Sequence, residues 1–352
     1  MNTTGSGTLL LVPAPGVPVH GPSGASAHVR GLAEALRPDA IVCALTTDRR
    51  GAAGSVSVPV LEGGVPGWPS WLSSWREYRE VWAARRVARI ASRLNPRRIW
   101  ERHSLYSDAG WKVHAATGCE WVLEVNAPPC QERQRYEVLP HPDWAAGWER
   151  DVLQAAPRVV AVSRWLCRWL TEEVGCQNVQ HLPNGVTPHA GEREGTRASL
   201  GLGDRLVLGF VGSMKPWHGV ERLPALLEAL PDAVGLVVGG GVVPVHPRIV
   251  ATGHVPEARV ADLVAAMDVG LAPYGADAPP WFCPLKILAY RAQGTPVVAP
   301  DLGDCAELTR EGGVMLEAGA GIDDWVDAVR REAGGRYTPK VRSWGEVVGE
   351  VW

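Results

Sequence analysis

Short apolar runs alternate with amphipathic helical stretches along the whole chain, and few folds tolerate that order. Thr8 to Val12 reads as a buried strand, and a Pro- and Gly-rich loop to Gly24 follows it. Ala25, Val29, Leu32, Ala33 and Leu36 then recur at i, i+4, i+7, i+8 and i+11, the apolar stripe of a helix that Ser23 can cap. Further β-type runs are expected at Ala40 to Leu45, Val56 to Val60, Arg98 to Glu101, Trp121 to Val125, Arg158 to Val162 and Val179 to Leu182. Helical patterns at Ser107 to Ala116, Trp144 to Ala155 and Trp165 to Val174 separate them. Strands spaced by helices imply a parallel sheet covered on both faces.

The same grammar restarts after a polar stretch from His189 to Asp204, where a domain boundary is expected. Arg205 to Val211 reads as a strand, Gly212 to His218 as a loop and Val220 to Leu230 as a helix. Val234 to Val238 ends in three glycines, and Val269 to Ala272 leads into the loop and helix of Pro280 to Gly294. Val297 to Ala299 is again a run of the kind a parallel sheet buries on both faces. The fold class expected is α/β, with two Rossmann-like doubly wound domains facing each other across a cleft. The expected limits are 1–188, 189–338, and a returning helix at 339–352.

Composition narrows the function. With 35 basic and 38 acidic residues in 352, the overall charge balance carries no signal for nucleic acid. Seven cysteines, an odd number without C-x-x-C spacing, point to reduced thiols rather than a disulfide framework or zinc site. Leu9 to Val12 is too short and too soon broken by Pro13 for a signal peptide or membrane span, so a cytoplasmic protein is expected.

Charge is uneven locally. Trp71 to Leu94 reads as a long helix or helix pair, with Trp71, Trp75, Tyr78 and Trp82 on one stripe. That stripe is expected to be core, the alternative being the lining of an acceptor cleft. Eight arginines between Arg76 and Arg98, against Glu77 and Glu80, are expected to form a solvated face. The alternative is peripheral contact with an anionic membrane surface or a phosphorylated acceptor.

Three loop and helix junctions carry candidate chemistry. Gly21-Pro22-Ser23-Gly24 precedes a helix whose N-H groups suit a phosphate, at roughly 0.3 to 1 kcal/mol per charge from the dipole. A tight turn explains the same glycines, and no G-x-G-x-x-G fingerprint is formed. Gly212 to Gly219 adds Lys215 and His218, and Lys286 stands near the start of a later helix; together these are candidate cations for a diphosphate. Asp-x-Asp, Walker A, H-E-x-x-H and G-x-S-x-G motifs are missing from the sequence.

In order and spacing, several motifs together resemble the retaining, nucleotide-sugar-dependent glycosyltransferases of family 4, which have the GT-B fold. They are Gly21 to Arg30, Glu101-Arg102-His103, Glu124 to Pro128, Val162-Ser163, Pro183 to Val186, Gly209 to Gly219, Pro284-Leu285-Lys286 and Gly294 to Val298. The resemblance implies an acceptor-binding first domain and a second domain that binds a UDP- or GDP-linked sugar, with a glycan or small molecule supplying the acceptor hydroxyl. It implies no cofactor and no metal. By position, Asn126 stands where the family often has a histidine near the reacting sugar, and Lys215 and His218 stand where cations grip the diphosphate. Gly24, Gly212, Ser213, Val255, Pro284, Leu285 and Lys286 would contact the donor; Ser23, His28, Arg102, His103 and Glu124 fall on the acceptor side. Two family glutamates are replaced by Trp281 and Ala289, which leaves open a binding protein without transfer activity. An inverting transferase with His20 or His28 as general base is the other alternative.

Overall fold

The computed structural model describes residues 7–47, 54–64 and 75–352. The chain divides into two compact units, one running to Pro183 and regaining Val347–Trp352, the other spanning Asn184–Glu346.

The first unit runs β1 (Thr8–Val12), α1 (Gly24–Ala35), β2 (Ala40–Ala44), β3 (Val60–Glu62), α2 (Arg76–Arg93), β4 (Arg98–Arg102), α3 (Ala109–Thr117), β5 (Glu120–Val125), α4 (Pro129–Tyr136), α5 (Pro142–Ala155), β6 (Arg158–Ala161), α6 (Arg164–Arg168) and β7 (Val179–His181). Its seven strands are parallel in the order β3-β2-β1-β4-β5-β6-β7. Leu9, Leu10, Leu11 and Val12 are fully buried, as a strand covered on both faces requires.

The second unit runs α7 (Glu194–Ser199), β8 (Leu206–Val211), α8 (Leu223–Ala229), β9 (Ala233–Val238), β10 (Ile249–Gly253), α9 (Glu257–Ala265), β11 (Val269–Leu271), α10 (Leu285–Ala292), β12 (Val297–Pro300), α11 (Cys305–Thr309), β13 (Gly313–Leu316) and α12 (Ile322–Glu332); α13 (Trp344–Gly349) begins in it and ends in the first unit. Its six parallel strands are ordered β10-β9-β8-β11-β12-β13. The strand order reverses beside β1 in one sheet and beside β8 in the other. Loops leaving the carboxyl ends of strands there diverge to opposite faces and open a crevice for ligand. Two Rossmann-like α/β units are thus established.

Four local expectations need correction. The strand expected at Val56 to Val60 starts at Val60, because Glu34 holds the backbone and hydroxyl of Ser57 and Pro59 has no N-H to donate. The helix expected at Val220 to Leu230 opens as a tighter 3₁₀ turn, Val220–Arg222, and becomes α8 only at Leu223, with Pro224 in its first turn. The polar stretch after His189 contains α7. Arg193 and Arg197 fasten that helix to Asp268, at 3.1 Å for Arg197, and to the carbonyls of Ala265, Ala266 and Met267.

The aromatic stripe of α2 is the fourth correction. Trp75, Tyr78 and Trp82 are 52%, 52% and 45% exposed, and Trp71 lies outside the described residues. The buried face is instead built from Val81, Ala83, Ala84, Val87, Ala88 and Ala91, whose small side chains let the helix lie close to its neighbours. Glu77 and Glu80 are buried there too because both are paired. Glu77 accepts from Tyr106 at 2.7 Å and contacts His141; Glu80 accepts from Arg76 at 3.0 Å and Arg133 at 2.6 Å.

Candidate active site

At the carboxyl end of the second sheet, backbone packs against backbone. Gly239, at φ +123°, leaves β9 so near the loop after β8 that a Cβ would stand 2.0 Å from the Gly212 carbonyl oxygen. Gly219, at φ +70°, closes that loop, and a Cβ there would stand 1.6 Å from the Pro273 carbonyl oxygen. Tyr290 of α10 ties the same strand ends together: its hydroxyl accepts from the Val211 N-H at 2.9 Å and donates to the Leu271 carbonyl at 3.0 Å.

Lys286, the second residue of α10, points into this junction. It is 7% exposed, and its Nζ has no hydrogen-bond partner among the described residues. The ammonium lies 4.1 Å from the ring centre of Phe210 and 4.6 Å from that of Tyr274, so two aromatic faces supply its attraction. Burial pulls its pKa down to about 7. His218 is beside it, with ring centres 6.1 Å from Phe210 and 5.9 Å from Tyr274. Burial, then the charges of Lys286 and Lys215, push the imidazole down to about 3. His218 is therefore neutral near pH 7, which corrects its expected role as a cation. Its Nδ1 accepts from the Lys215 N-H at 3.4 Å, so the proton sits on Nε2 and the ring offers a neutral donor. Lys215 is exposed, 5.8 Å from the Trp217 ring centre.

The first unit collects polar groups at the ends of β4 and β5. Glu124, 3% exposed, accepts from Trp100 Nε1 at 2.6 Å and from the Asn126 amide, and it meets His28 Nε2 at 2.8 Å. Arg102 stands 2.9 Å from His28 Nδ1 and 3.8 Å from Glu124. Burial opposes ionisation of Glu124, but His28, then Arg102 and Asn126, outweigh it and hold the carboxyl at about 2. A guanidinium only donates, so His28 Nδ1 must accept and Nε2-H must donate to Glu124. Both imidazole nitrogens are engaged, and His28 has no lone pair for a base. That corrects its candidacy as general base; His20 uses Nδ1 on the Gly54 carbonyl at 3.1 Å. His103 is tied by its backbone N-H to the Glu124 carbonyl at 2.8 Å, while its Nε2 lies 3.6 Å from Glu149.

Residues 22–190 match the family model described as Glycosyltransferase Family 4, and residues 205–332 match the one described as Glycosyl transferases group 1. The chain carries two glycosyltransferase domains of GT-B type. No curated protein matches it in sequence. Among solved structures, it is similar to sucrose-phosphate synthase from Thermosynechococcus elongatus, at 19% identity and TM-score 0.69, covering 98% of this chain and 93% of that one. It is also similar to Anabaena HepE, solved in complex with UDP-glucose, at 16% identity and TM-score 0.66 over 92% and 89% of the two chains. AviGT4, a glycosyltransferase involved in avilamycin A biosynthesis, aligns at 15% identity and TM-score 0.56 over 98% and 95%.

Within the glycosyltransferase second domain, Lys286, His218 and Lys215 come together, Gly212 and Ser213 lead into their loop, and Pro284 and Leu285 open α10. Val255 lies on a separate loop before α9, half-buried against the apolar core. Trp281 is 6% exposed and Ala289 half-buried. In the first domain His28, Arg102, Glu124 and Asn126 form one network. Ser23 does not join it. Its hydroxyl caps α1 by accepting from the Ser26 N-H at 3.1 Å, and Gly24 begins the helix.

Several residues of these sites escaped sequence reasoning. Phe210 and Tyr274 sandwich Lys286 but look like ordinary core aromatics in the sequence. Arg30, 4% exposed, spans the Val19 and Gly21 carbonyls at 3.0 and 2.8 Å and so shapes the β1–α1 loop. Its only signal was a charge on a helix that is otherwise mostly buried. Glu101 proves a structural carboxyl. Burial raises it to about 7 while Gly110, Ser107 and Trp121 donate to it at 3.0 to 3.1 Å.

Proposed function

We propose that this glycosyltransferase moves a sugar from a nucleoside diphosphate sugar to an acceptor hydroxyl, with retention at the anomeric carbon and without a metal ion. The observation that carries the donor half is Lys286, a buried cation at the ligand end of the second sheet with no hydrogen-bond partner among the described residues. A diphosphate would supply the missing anion, and Lys215 and the Nε2-H of His218 would complete its surroundings. HepE, of the same fold, was solved with UDP-glucose, which favours a uridine nucleotide as the first donor to try.

The first domain takes the acceptor in this reading, with His103 and Arg102 nearest the open strand ends. No protein nucleophile is assigned. The departing phosphate oxygen takes the acceptor proton on the same face of the sugar, and the cations stabilise the charge that develops. The engagement of both His28 nitrogens favours this route over an inverting one based on His28. The seven free thiols suit a cytoplasmic protein.

A binding protein without transfer activity is the second reading, motivated by Trp281 and Ala289 in place of family glutamates. Thermal shifts with UDP, GDP and their sugars test donor binding by linkage. NMR of the product anomer then tests retention. A raised midpoint without any transfer, unchanged by Ala289→Glu, would establish the second reading. An inverted product would exclude the retaining mechanism.

A further inference from the structure

The exposed side of α2 is one continuous stripe with two chemistries. Trp75, Tyr78, Trp82, Arg85, Arg89 and Arg93 are all exposed and follow one another by three or four residues, the spacing that keeps side chains on one helix face. The first half is aromatic and the second basic. Arg86 leans over Trp82, its guanidinium carbon 5.2 Å from the ring centre. Among the described residues, no carboxylate forms an ion pair with Arg85, Arg86, Arg89 or Arg93. The acids of this helix are spent elsewhere, Glu77 and Glu80 on partners beneath it.

The aromatic half is held in place. Tyr78 stacks on Trp144 at 5.1 Å and Trp75 lies 5.6 Å from Tyr78, while Trp144 packs on the buried Tyr106 at 4.8 Å. Arg76 bonds Glu137 at 2.8 Å, and the next residue, Val138, is 86% exposed. Half-exposed Trp and Tyr on a rigid base suit a boundary between apolar and wet surroundings, with the rings at headgroup level. Unpaired arginines on the same stripe suit phosphate headgroups, whose attraction amounts to about fivefold in affinity per arginine near an anionic surface.

We infer that the Trp75-to-Arg93 stripe of α2 is a docking surface for an anionic lipid bilayer, with Trp75, Tyr78 and Trp82 entering the interface and Arg85, Arg89 and Arg93 lying along the headgroups. A soluble polyanion would use the arginines and leave three exposed rings unexplained; the rings favour the bilayer. The surface is narrower than the whole Arg76 to Arg98 excess. Arg76 is paired with Glu80 and Glu137, and Arg98 is paired with Glu120 at 3.4 Å.

Co-sedimentation of the full chain with phosphatidylcholine vesicles, with and without phosphatidylglycerol, tests it, with heparin as a soluble polyanion control. Binding is expected only with phosphatidylglycerol and should weaken with salt. Trp75→Ser combined with Trp82→Ser is expected to lower vesicle affinity by about tenfold or more while leaving heparin binding unchanged. Arg85→Glu combined with Arg89→Glu should abolish the preference for anionic vesicles. All these side chains are exposed, so circular dichroism and nucleotide thermal shifts should match the parent chain. Lack of vesicle binding, binding unaffected by either pair, or vesicle binding that tracks heparin and ignores the tryptophans would each overturn the proposal.

Discussion

The two polar clusters of this chain both sit at the carboxyl ends of their sheets and are electrostatic opposites. Around Glu124 the carboxylate faces a guanidinium, an imidazole, an indole N-H and an amide, all within the first unit. Around Lys286 a buried ammonium faces two aromatic rings and a neutral histidine, with a second lysine nearby. Buried charge is costly unless paired. The Glu124 cluster is complete without ligand, whereas the Lys286 cluster is complete only with an anion. The difference separates a charge network that holds its unit together from one kept for binding.

Breaking the complete cluster should have the largest effect on stability. Glu124→Ala strands His28, Arg102 and the Trp100 N-H, and is expected to cost about 3–5 kcal/mol in denaturant unfolding. The Glu124 carboxyl is depressed from 4.5 to about 2. Its contribution is therefore fully present above pH 4.5 and is lost as pH falls toward 2, so the gap between parent and variant should narrow over that window. A constant gap would place the loss in packing rather than charge.

The incomplete cluster should respond with the opposite sign. Lys286→Met replaces an uncompensated buried charge with an apolar chain of similar length and is expected to stabilise the ligand-free protein, by about 1–4 kcal/mol. The lysine is lowered from 10.5 to about 7, so the unfolded chain binds the extra proton between those values. Its penalty is full below pH 7 and fades as pH rises toward 10.5, and the advantage of the variant should fade with it. Destabilisation by Lys286→Met would show that the ammonium is already compensated.

Smaller changes sharpen the contrast. Tyr290→Phe leaves the Val211 N-H and Leu271 carbonyl unpaired and should cost about 1–3 kcal/mol in stability, with nucleotide affinity reduced through displacement of the β8 loop. Lys215 is exposed and screened by water, so Lys215→Ala should lower turnover only about fivefold, an effect of roughly 1 kcal/mol. Unchanged kinetics with a verified donor would remove Lys215 from the site.

The alternation of apolar runs and amphipathic stretches made both sheets legible because strands buried on two faces leave an unbroken signal, as in Leu9 to Val12 and Val297 to Ala299. Periodicity also placed Trp75, Tyr78 and Trp82 together. It did not tell which face of α2 packs, since the alanines opposite repeat with the same period and leave no mark in a hydrophobic pattern. The helices α4 and α7 escaped because polar contacts, not apolar stripes, hold them. In the candidate site the cations were visible at loop and helix junctions. The neutrality of His218 and the burial of Lys286 were not, since Phe210, Tyr274 and Lys286 come from distant parts of the chain and meet only in the fold. The tautomer of His28 likewise depends on Arg102, contributed by a different strand.

Calorimetric titration of UDP into the parent chain and Lys286→Met, repeated across pH in buffers of different ionisation enthalpy, tests the central claim most directly. If Lys286 is the cation that awaits the diphosphate, binding to the parent should take up a proton above pH 7 and weaken as pH rises. The variant should show neither effect and bind about 10- to 100-fold more weakly, the loss of one charge-assisted contact. Equal affinity of the two proteins, with no proton uptake in either, would contradict the account.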